Sequence, residues 1–356
     1  MIDRQAPAAT YLIADAMNND SPAKTRSKPR KPAAAKNVVV VGASAGGMQA
    51  LVKLIRQFDA SFPAAILVVN HMAMSSSSEP LLNELRKVSS LACKIAVDKE
   101  SIVAGHVYLA QPDHHLMVSG EKIAITKGAR ENRARPAIDS LFRSAAVSYG
   151  NRVVAVVLTG YLDDGSAGMV AVKRCGGTCV VQDPADCAYP DMPQNALRLA
   201  KIDHCLPIDQ MGVLLTMLAR RRARKATATP DDIAIEATIA ERVLSDLESV
   251  EELGEQVPFN CPGCGGVLWQ MKKGKLVRYR CHTGHSYTAA ALMDEQKAKM
   301  EETLWIALRM FEENRNLLIR MGAQGDASPS YVERVEQAKV HIDRIRAMLK
   351  STTSTS

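Results

Sequence analysis

Five small residues, Gly42-Ala43-Ser44-Ala45-Gly46, follow directly on Val38 to Val41 and precede a stretch with helical spacing. The run fits G-x-S-x-G between a strand and a helix, the setting in which a sharp turn exposes a serine as a nucleophile. The first N–H groups of the helix would face the surroundings of Ser44, where they can stabilise an oxyanion. The competing reading is a phosphate loop. Gly42-x-Ser44-x-x-Gly47 is a G-x-G-x-x-G without its middle glycine, and no acidic residue ends a second strand near Val69. A Gly-rich turn with no chemistry is the blandest alternative.

A serine nucleophile needs a base and an orienting carboxylate. His71 ends the next apolar run, Ile-Leu-Val-Val-Asn70, and Asp163-Asp164-Gly165 follow a third run through a Thr-Gly turn. Singly, a strand-end histidine or a loop aspartate is usually structural. Together they meet Ser44 at the carboxyl edge of one sheet, where open α/β sheets place their ligands. The chain order Ser, His, Asp differs from that of the ordinary α/β-hydrolase fold, which is therefore disfavoured.

A second constellation lies far downstream. Cys261-x2-Cys264-x16-Cys281-x3-His285 has the spacing of a tetrahedral zinc site, with two thiolates from one tight turn and a second pair closing the shell. His285 is preferred to His282 because x3 leaves room for a turn. Four protein ligands leave no open position, so such a zinc is structural, and catalysis by Ser44 needs no cofactor. Reduced, unliganded cysteines are the alternative, but so small a segment folds poorly without a staple.

Short aliphatic runs alternating with helical patterns predict a doubly wound, mostly parallel α/β sheet over 37–207. Strands are expected at Val38–Val41, Ile66–Val69, Val107–Ala110, Val153–Leu158, Thr178–Gln182 and near Leu206. Helices are expected at Met48–Phe58, Pro80–Val88, Pro136–Tyr149, Ser166–Cys175 and Pro193–Ala200. Residues 208–256 read as a partly helical linker, 257–287 as a zinc-ribbon-like module, and 288–350 as a helical hairpin. Residues 1–36 and 351–356 read as disordered tails.

The net charge of +7 is concentrated around Lys24 to Lys36 and Arg220 to Lys225, which suits solvated tails or linkers better than a nucleic-acid face. No apolar run approaches the roughly 20 residues of a membrane span, and no secretory signal opens the chain, so a cytoplasmic protein without membrane insertion is expected. The eight cysteines then read as thiols, core residues or metal ligands.

Six ordered segments carry a specific resemblance: G-A-S-A-G-G at 42–47, N-H-M at 70–72, G-H-V-Y-L-A at 105–110, N-R-A-R-P-A-I-D-S-L-F at 132–142, L-T-G-Y-L-D-D-G-S-A-G-M at 158–169 and D-M-P-Q-N-A at 191–196. Through them residues 37–207 resemble the catalytic domain of the CheB-type protein-glutamate methylesterases of bacterial chemotaxis. The resemblance implies hydrolysis of glutamate methyl esters on the cytoplasmic helices of chemoreceptors, with glutamine deamidation as a related activity. Ser44 would be the nucleophile, His71 the base and Asp164 the orienting carboxylate. The N–H groups near Ala45 and Tyr161 would form the oxyanion hole, and Met192, Pro193, Arg133 and Arg135 the rim that holds the substrate.

The chain departs from that family in three respects. Tyr161 and Leu162 stand where the family's loop has Met and Gly, and Ala134 and Ala137 where many relatives have His and Ser. The residues ahead of Asn37 are too few for a receiver domain, so a standalone form is expected. The cysteine segment is similar to the C-terminal region of other standalone relatives, where contact with other signalling proteins is a further expectation. Two readings compete with the esterase: a catalytically inactive scaffold working through the zinc module and hairpin, and a nucleotide-binding Rossmann-like enzyme.

Overall fold

Val38 to Val41 are all buried, yet alternate valines enter different cores. Val38 and Val40 pack with helices on one face of the sheet, Val39 and Val41 with helices on the other. A strand with two buried faces has to read as a continuous β-branched run, and each buried valine contributes roughly 1.5–3 kcal/mol. The computed structural model describes residues 34–73, 75–221, 227–242, 247–273, 276–323 and 329–352. The tails expected over 1–36 and 351–356 therefore lie almost wholly outside the described residues.

The first half of the chain runs β1 (Val38–Ala43), α1 (Gly47–Ile55), β2 (Ala65–Asn70), α2 (Glu79–Val88), β3 (Ala92–Ile95), β4 (His106–Leu109), β5 (His115–Ser119), β6 (Lys122–Thr126), α3 (Ile138–Tyr149), β7 (Val153–Val157), α4 (Ser166–Arg174), β8 (Thr178–Gln182), α5 (Asp191–Leu199), β9 (His204–Leu206) and α6 (Ile208–Ala219). Seven strands form one sheet in the order β3-β4-β2-β1-β7-β8-β9, and every neighbouring pair in it is parallel. From β1 the chain builds outward to one side through β2, β4 and β3, and then returns to the other side of β1 with β7. The order reverses there, so the loops after β1 and β7 open a crevice at the carboxyl edge.

The doubly wound sheet is as expected, while three elements differ from the sequence reading. β3 and the antiparallel β5–β6 hairpin were not anticipated. Their runs are four or five residues long, too short for periodicity to stand out. α6 lies beyond the expected domain boundary at 207, yet Ile208, Met211, Leu215 and Leu218 pack into the same core as α1 and α2.

The second half comprises α7 (Asp231–Arg242), α8 (Leu247–Glu251), β10 (Glu255–Asn260), β11 (Val267–Lys273), β12 (Leu276–Cys281), β13 (Ser286–Thr288), α9 (Ala289–Ala323) and α10 (Pro329–Thr352). β10 to β13 form an antiparallel sheet in chain order. α9 and α10 pack against each other through Leu308, Ile342, Ile345 and Leu349.

A buried ionic network joins the two halves. Glu131, before α3, meets Arg143 of α3 at 2.5 Å and Arg280 of β12 at 3.0 Å. Glu236 of α7 meets Arg278 of β12 at 2.5 Å, and Arg143 and Arg280 at 3.4 Å each. Burial raises the carboxyl of Glu236, but Arg278, Arg143 and Arg280 outweigh it and hold the group down to about 2. The same balance, set by Arg143 and Arg280, keeps Glu131 well below the usual carboxylate range.

Candidate active site and cysteine cluster

Strand register sets the site. β1 pairs with β2 so that Ala43 faces Asn70, and the N–H of His71 donates to Ala43 O at 2.9 Å. Ser44 and His71 therefore leave adjacent strands at the same level. On the other side of β1, Leu158 N donates to Gly42 O and Ser44 N to Thr159 O at 3.0 Å, which brings in the loop that carries Asp164.

The turn after Ser44 depends on glycine. Gly46 has φ of 73°, a left-handed conformation open to glycine at little cost, and it caps α1. Gly160, in the facing loop, lies so close to Ser44 Cβ and Met192 Sδ that any side chain there would collide with both.

His71 Nε2 lies 2.8 Å from Asp164 Oδ2. Asp164 is 4% exposed, so burial alone would raise its pKa. Hydrogen bonds from His71, from the N–H of Ile138 at 2.7 Å and from Asn132 Nδ2 at 3.1 Å hold it below its ordinary value instead. Its neighbour Asp163 is also buried, and burial pushes that carboxyl up. Of the two aspartates the sequence offered, Asp164 is the one set against His71. With Nε2 committed to Asp164, Nδ1 is the ring nitrogen left for a further partner.

Ser44, His71, Asp164, Tyr161, Leu162, Asp163, Asn132 and Arg133 line one cleft of about 440 Å³, to which Ala291 of α9 also contributes. Arg135 lines an adjoining cavity with His71, Arg130 and Arg133, and it is held by Asp113 at 2.6 Å. Arg133, at the mouth, pairs with Glu295 of α9 at 2.7 Å. Met192 and Pro193 were expected at the rim but are buried. Met192 is an apolar side chain supporting the Gly160 turn from below, and its N–H donates to Gly160 O at 3.0 Å. Leu162 takes φ of 65°, where a non-glycine residue is strained, at the position where Gly was expected from the family pattern.

Sequence reasoning missed Asn132, Ala291 and Glu295. Asn132 is a mid-loop polar residue with no motif of its own, and the other two lie far away in the chain.

The four predicted metal ligands come together. The ligand atoms of Cys261, Cys264, Cys281 and His285 all lie within 4.8 Å of one another. Cys264 Sγ and Cys281 Sγ are 3.7 Å apart, and Cys281 Sγ is 3.6 Å from His285 Nδ1. Sulfur at ~2.3 Å and nitrogen at ~2.0 Å from a tetrahedral ion give edges of roughly 3.8 and 3.6 Å. The donor set and spacing thus fit a bound divalent ion.

The family model for CheB methylesterase matches residues 39–215. The protein-glutamate methylesterase/protein-glutamine glutaminase 2 of Methanosarcina mazei is 34% identical over 205 residues, covering 55% of this chain and 56% of that protein. A Leptospira interrogans protein provisionally named for the same two activities is 34% identical over 181 residues, covering 51% of this chain and 93% of its own length. The solved catalytic domain of Thermotoga maritima CheB methylesterase is 34% identical, with a TM-score of 0.49, covering 51% of this chain and 98% of that one. This chain therefore spans little more than half of the Methanosarcina relative and nearly all of the Leptospira one. Since the matched segment is the one that brings Ser44, His71 and Asp164 together, the chain belongs to the CheB methylesterase family.

Proposed function

We propose that the chain hydrolyses γ-methyl esters of glutamate side chains on chemoreceptor helices in the cytoplasm. The observation that carries this reading is the contact of 2.8 Å between His71 and Asp164 in the cleft that also holds Ser44. Ser44 Oγ attacks the ester carbonyl while His71 Nδ1 takes its proton, and Asp164 stabilises the resulting imidazolium. The N–H of Ser44 is spent on Thr159 and that of Gly160 on Tyr189, so the donors assigned to the oxyanion are the N–H groups of Ala45 and Tyr161.

His71 then returns the proton to the departing methoxide, which leaves as methanol. Water, deprotonated by His71, splits the acyl-enzyme and leaves a carboxylate on the receptor. The same cycle with an amide releases ammonia, which agrees with the second activity in the names of the relatives. Arg133, which lines the cleft, would exchange Glu295 for an acidic residue flanking the ester, whereas Arg135 is committed to Asp113 and to the carbonyl of Gly128.

We assign the Cys/His cluster to a structural zinc, which would tie the turn after β10 to the turn after β12. Among the described residues no helix is long and apolar enough to cross a membrane.

The decisive experiment follows volatile methanol released from methyl-labelled chemoreceptors by the wild type and by Ser44→Ala. Release by the wild type and its loss in the variant are expected. Equal release by both, or none from the wild type, would overturn the reading.

A further inference from the structure

Asn132 is 9% exposed, and both ends of its side-chain amide are in use. Nδ2 donates one hydrogen to Asp164 Oδ1 at 3.1 Å and the other to Asp139 Oδ2 at 2.8 Å. Oδ1 accepts the backbone N–H of Thr288 at 3.0 Å, and the N–H of Asn132 donates to Ser286 O at 2.8 Å. Thr288 and Ser286 are the two ends of β13, the strand that begins immediately after His285 of the cysteine cluster.

This arrangement selects for an amide. Asp139 and Asp164 are both buried, and burial together with the charge of Asp164 pushes the carboxyl of Asp139 well up. A side chain placed between them has to offer two donors to two acids and an acceptor to a backbone N–H on its other side, which asparagine does. Asp164 also receives backbone N–H groups from Ile138, Asp139 and Gly165, all from the catalytic domain. Among the described residues, Asn132 and His71 are its side-chain donors.

We propose that Asn132 is a positioning residue for the ester hydrolysis, and that β13 holds it in place, so the Cys/His module completes the hydrolase site by way of Asn132. The inference rests on the esterase reading for its reaction, but not for its geometry. Asn132 fixes the plane of the Asp164 carboxylate and thereby the direction of the His71 ring. Thr288 and Ser286 fix Asn132, and the cluster at the base of β13 fixes Thr288 and Ser286.

The test uses the full chain with its metal bound, and reads both methanol release and the rate at which a fluorophosphonate labels Ser44. For Asn132→Ala, kcat and the labelling rate fall about 10- to 100-fold with KM nearly unchanged, as for loss of a hydrogen bond to a charged group. The acidic limb of the pH profile moves to higher pH, because negative charge left uncompensated on Asp164 favours protonated His71. Asn132→Ser, a small side chain that offers a hydroxyl in place of the amide and adds no charge between the two acids, shows the same direction of shift and serves if the alanine variant does not fold.

Extracting the metal with a chelator, with metal content measured, slows labelling of the wild type by a similar factor. It adds little to either Asn132 variant, because both changes break one connection. Wild-type labelling rates and an unmoved pH profile in a folded variant, or undiminished labelling after metal loss, would overturn the proposal. A wild type that labels at Ser44 but releases no methanol would sink the methylesterase reading alone.

Discussion

Asp164 meets His71 at Nε2, 2.8 Å away, so one nitrogen of the imidazole is held and Nδ1 remains as the base that the proposed reaction requires. Asp164→Asn keeps the shape of the side chain but removes the charge that stabilises the imidazolium. The expected loss in kcat is about 10³- to 10⁴-fold, with little change in KM. Steady-state methanol release measures it. A loss below tenfold would mean that Asp164 is a bystander.

Gly160 should tolerate no side chain. In Gly160→Ala the added methyl meets Ser44 Cβ and Met192 Sδ at once, and overpacking of this kind costs roughly 1–3 kcal/mol. Because one of the two neighbours is Ser44, the proposed nucleophile, the serine-labelling rate should fall more than stability does. Thermal unfolding and labelling, compared on the same sample, decide the point.

Leu162 is about two-fifths exposed and sits at φ of 65°. Replacing a partly buried leucine by glycine ordinarily destabilises. Here the relief of roughly 1–2 kcal/mol of left-handed strain offsets the lost burial and the greater entropy of the unfolded chain. Leu162→Gly is therefore expected to leave the midpoint of denaturant unfolding unchanged or slightly raised. A drop of more than about 1 kcal/mol would refute the strain account.

The Glu236 network gives stability a defined pH window. The folded-state pKa, about 2, is below the ordinary value of 4.5. The contribution is complete above roughly pH 4.5 and is lost as pH falls toward 2, amounting to on the order of 3 kcal/mol. Glu236→Gln leaves Arg278 without its paired carboxylate, while Arg143 keeps Glu131, so it should cost about 3 kcal/mol near neutrality and flatten the acid limb. Denaturant midpoints at pH 7 and pH 3.5 test both statements.

One divalent ion should bind per chain. Cys264→Ser removes a ligand from the exposed side of the cluster. It should abolish stoichiometric metal content and increase protease sensitivity of the segment from Cys261 to His285, since so small a sheet gains its folding energy from the ion. Unchanged metal content by elemental analysis would show that the ion sits elsewhere.

The contrast between what could and could not be read from the sequence follows sequence distance. Ser44, His71 and the Asp163-Asp164 pair announced themselves because each ends an apolar run, and parallel strands bring run ends to one edge. The cysteine cluster was legible because its ligands recur at fixed short spacings. Asn132 was not, because its meaning comes from Asp164 and from Thr288, 156 positions away. Arg280 and Glu131, 149 positions apart, gave no local signal either. α6 was read as linker since a polar-flanked helix after the last strand looks the same whether it packs on the sheet or leaves it. Met192 and Pro193 were placed at the rim because sequence puts them near the site, while only packing shows both to be buried, with Met192 against Gly160.

The central position of β1 also bears on how the chain is made. During synthesis β1 can pair with β2 almost at once, but its other edge stays open until β7 emerges about 115 residues later. At typical translation speeds that interval is on the order of 10 s. Throughout it the nascent chain displays four consecutive valines on an unpaired strand edge, the kind of segment that seeds aggregation. Yield of this protein should therefore be governed by chaperone supply while the ribosome is between β2 and β7, more than by the stability of the finished fold.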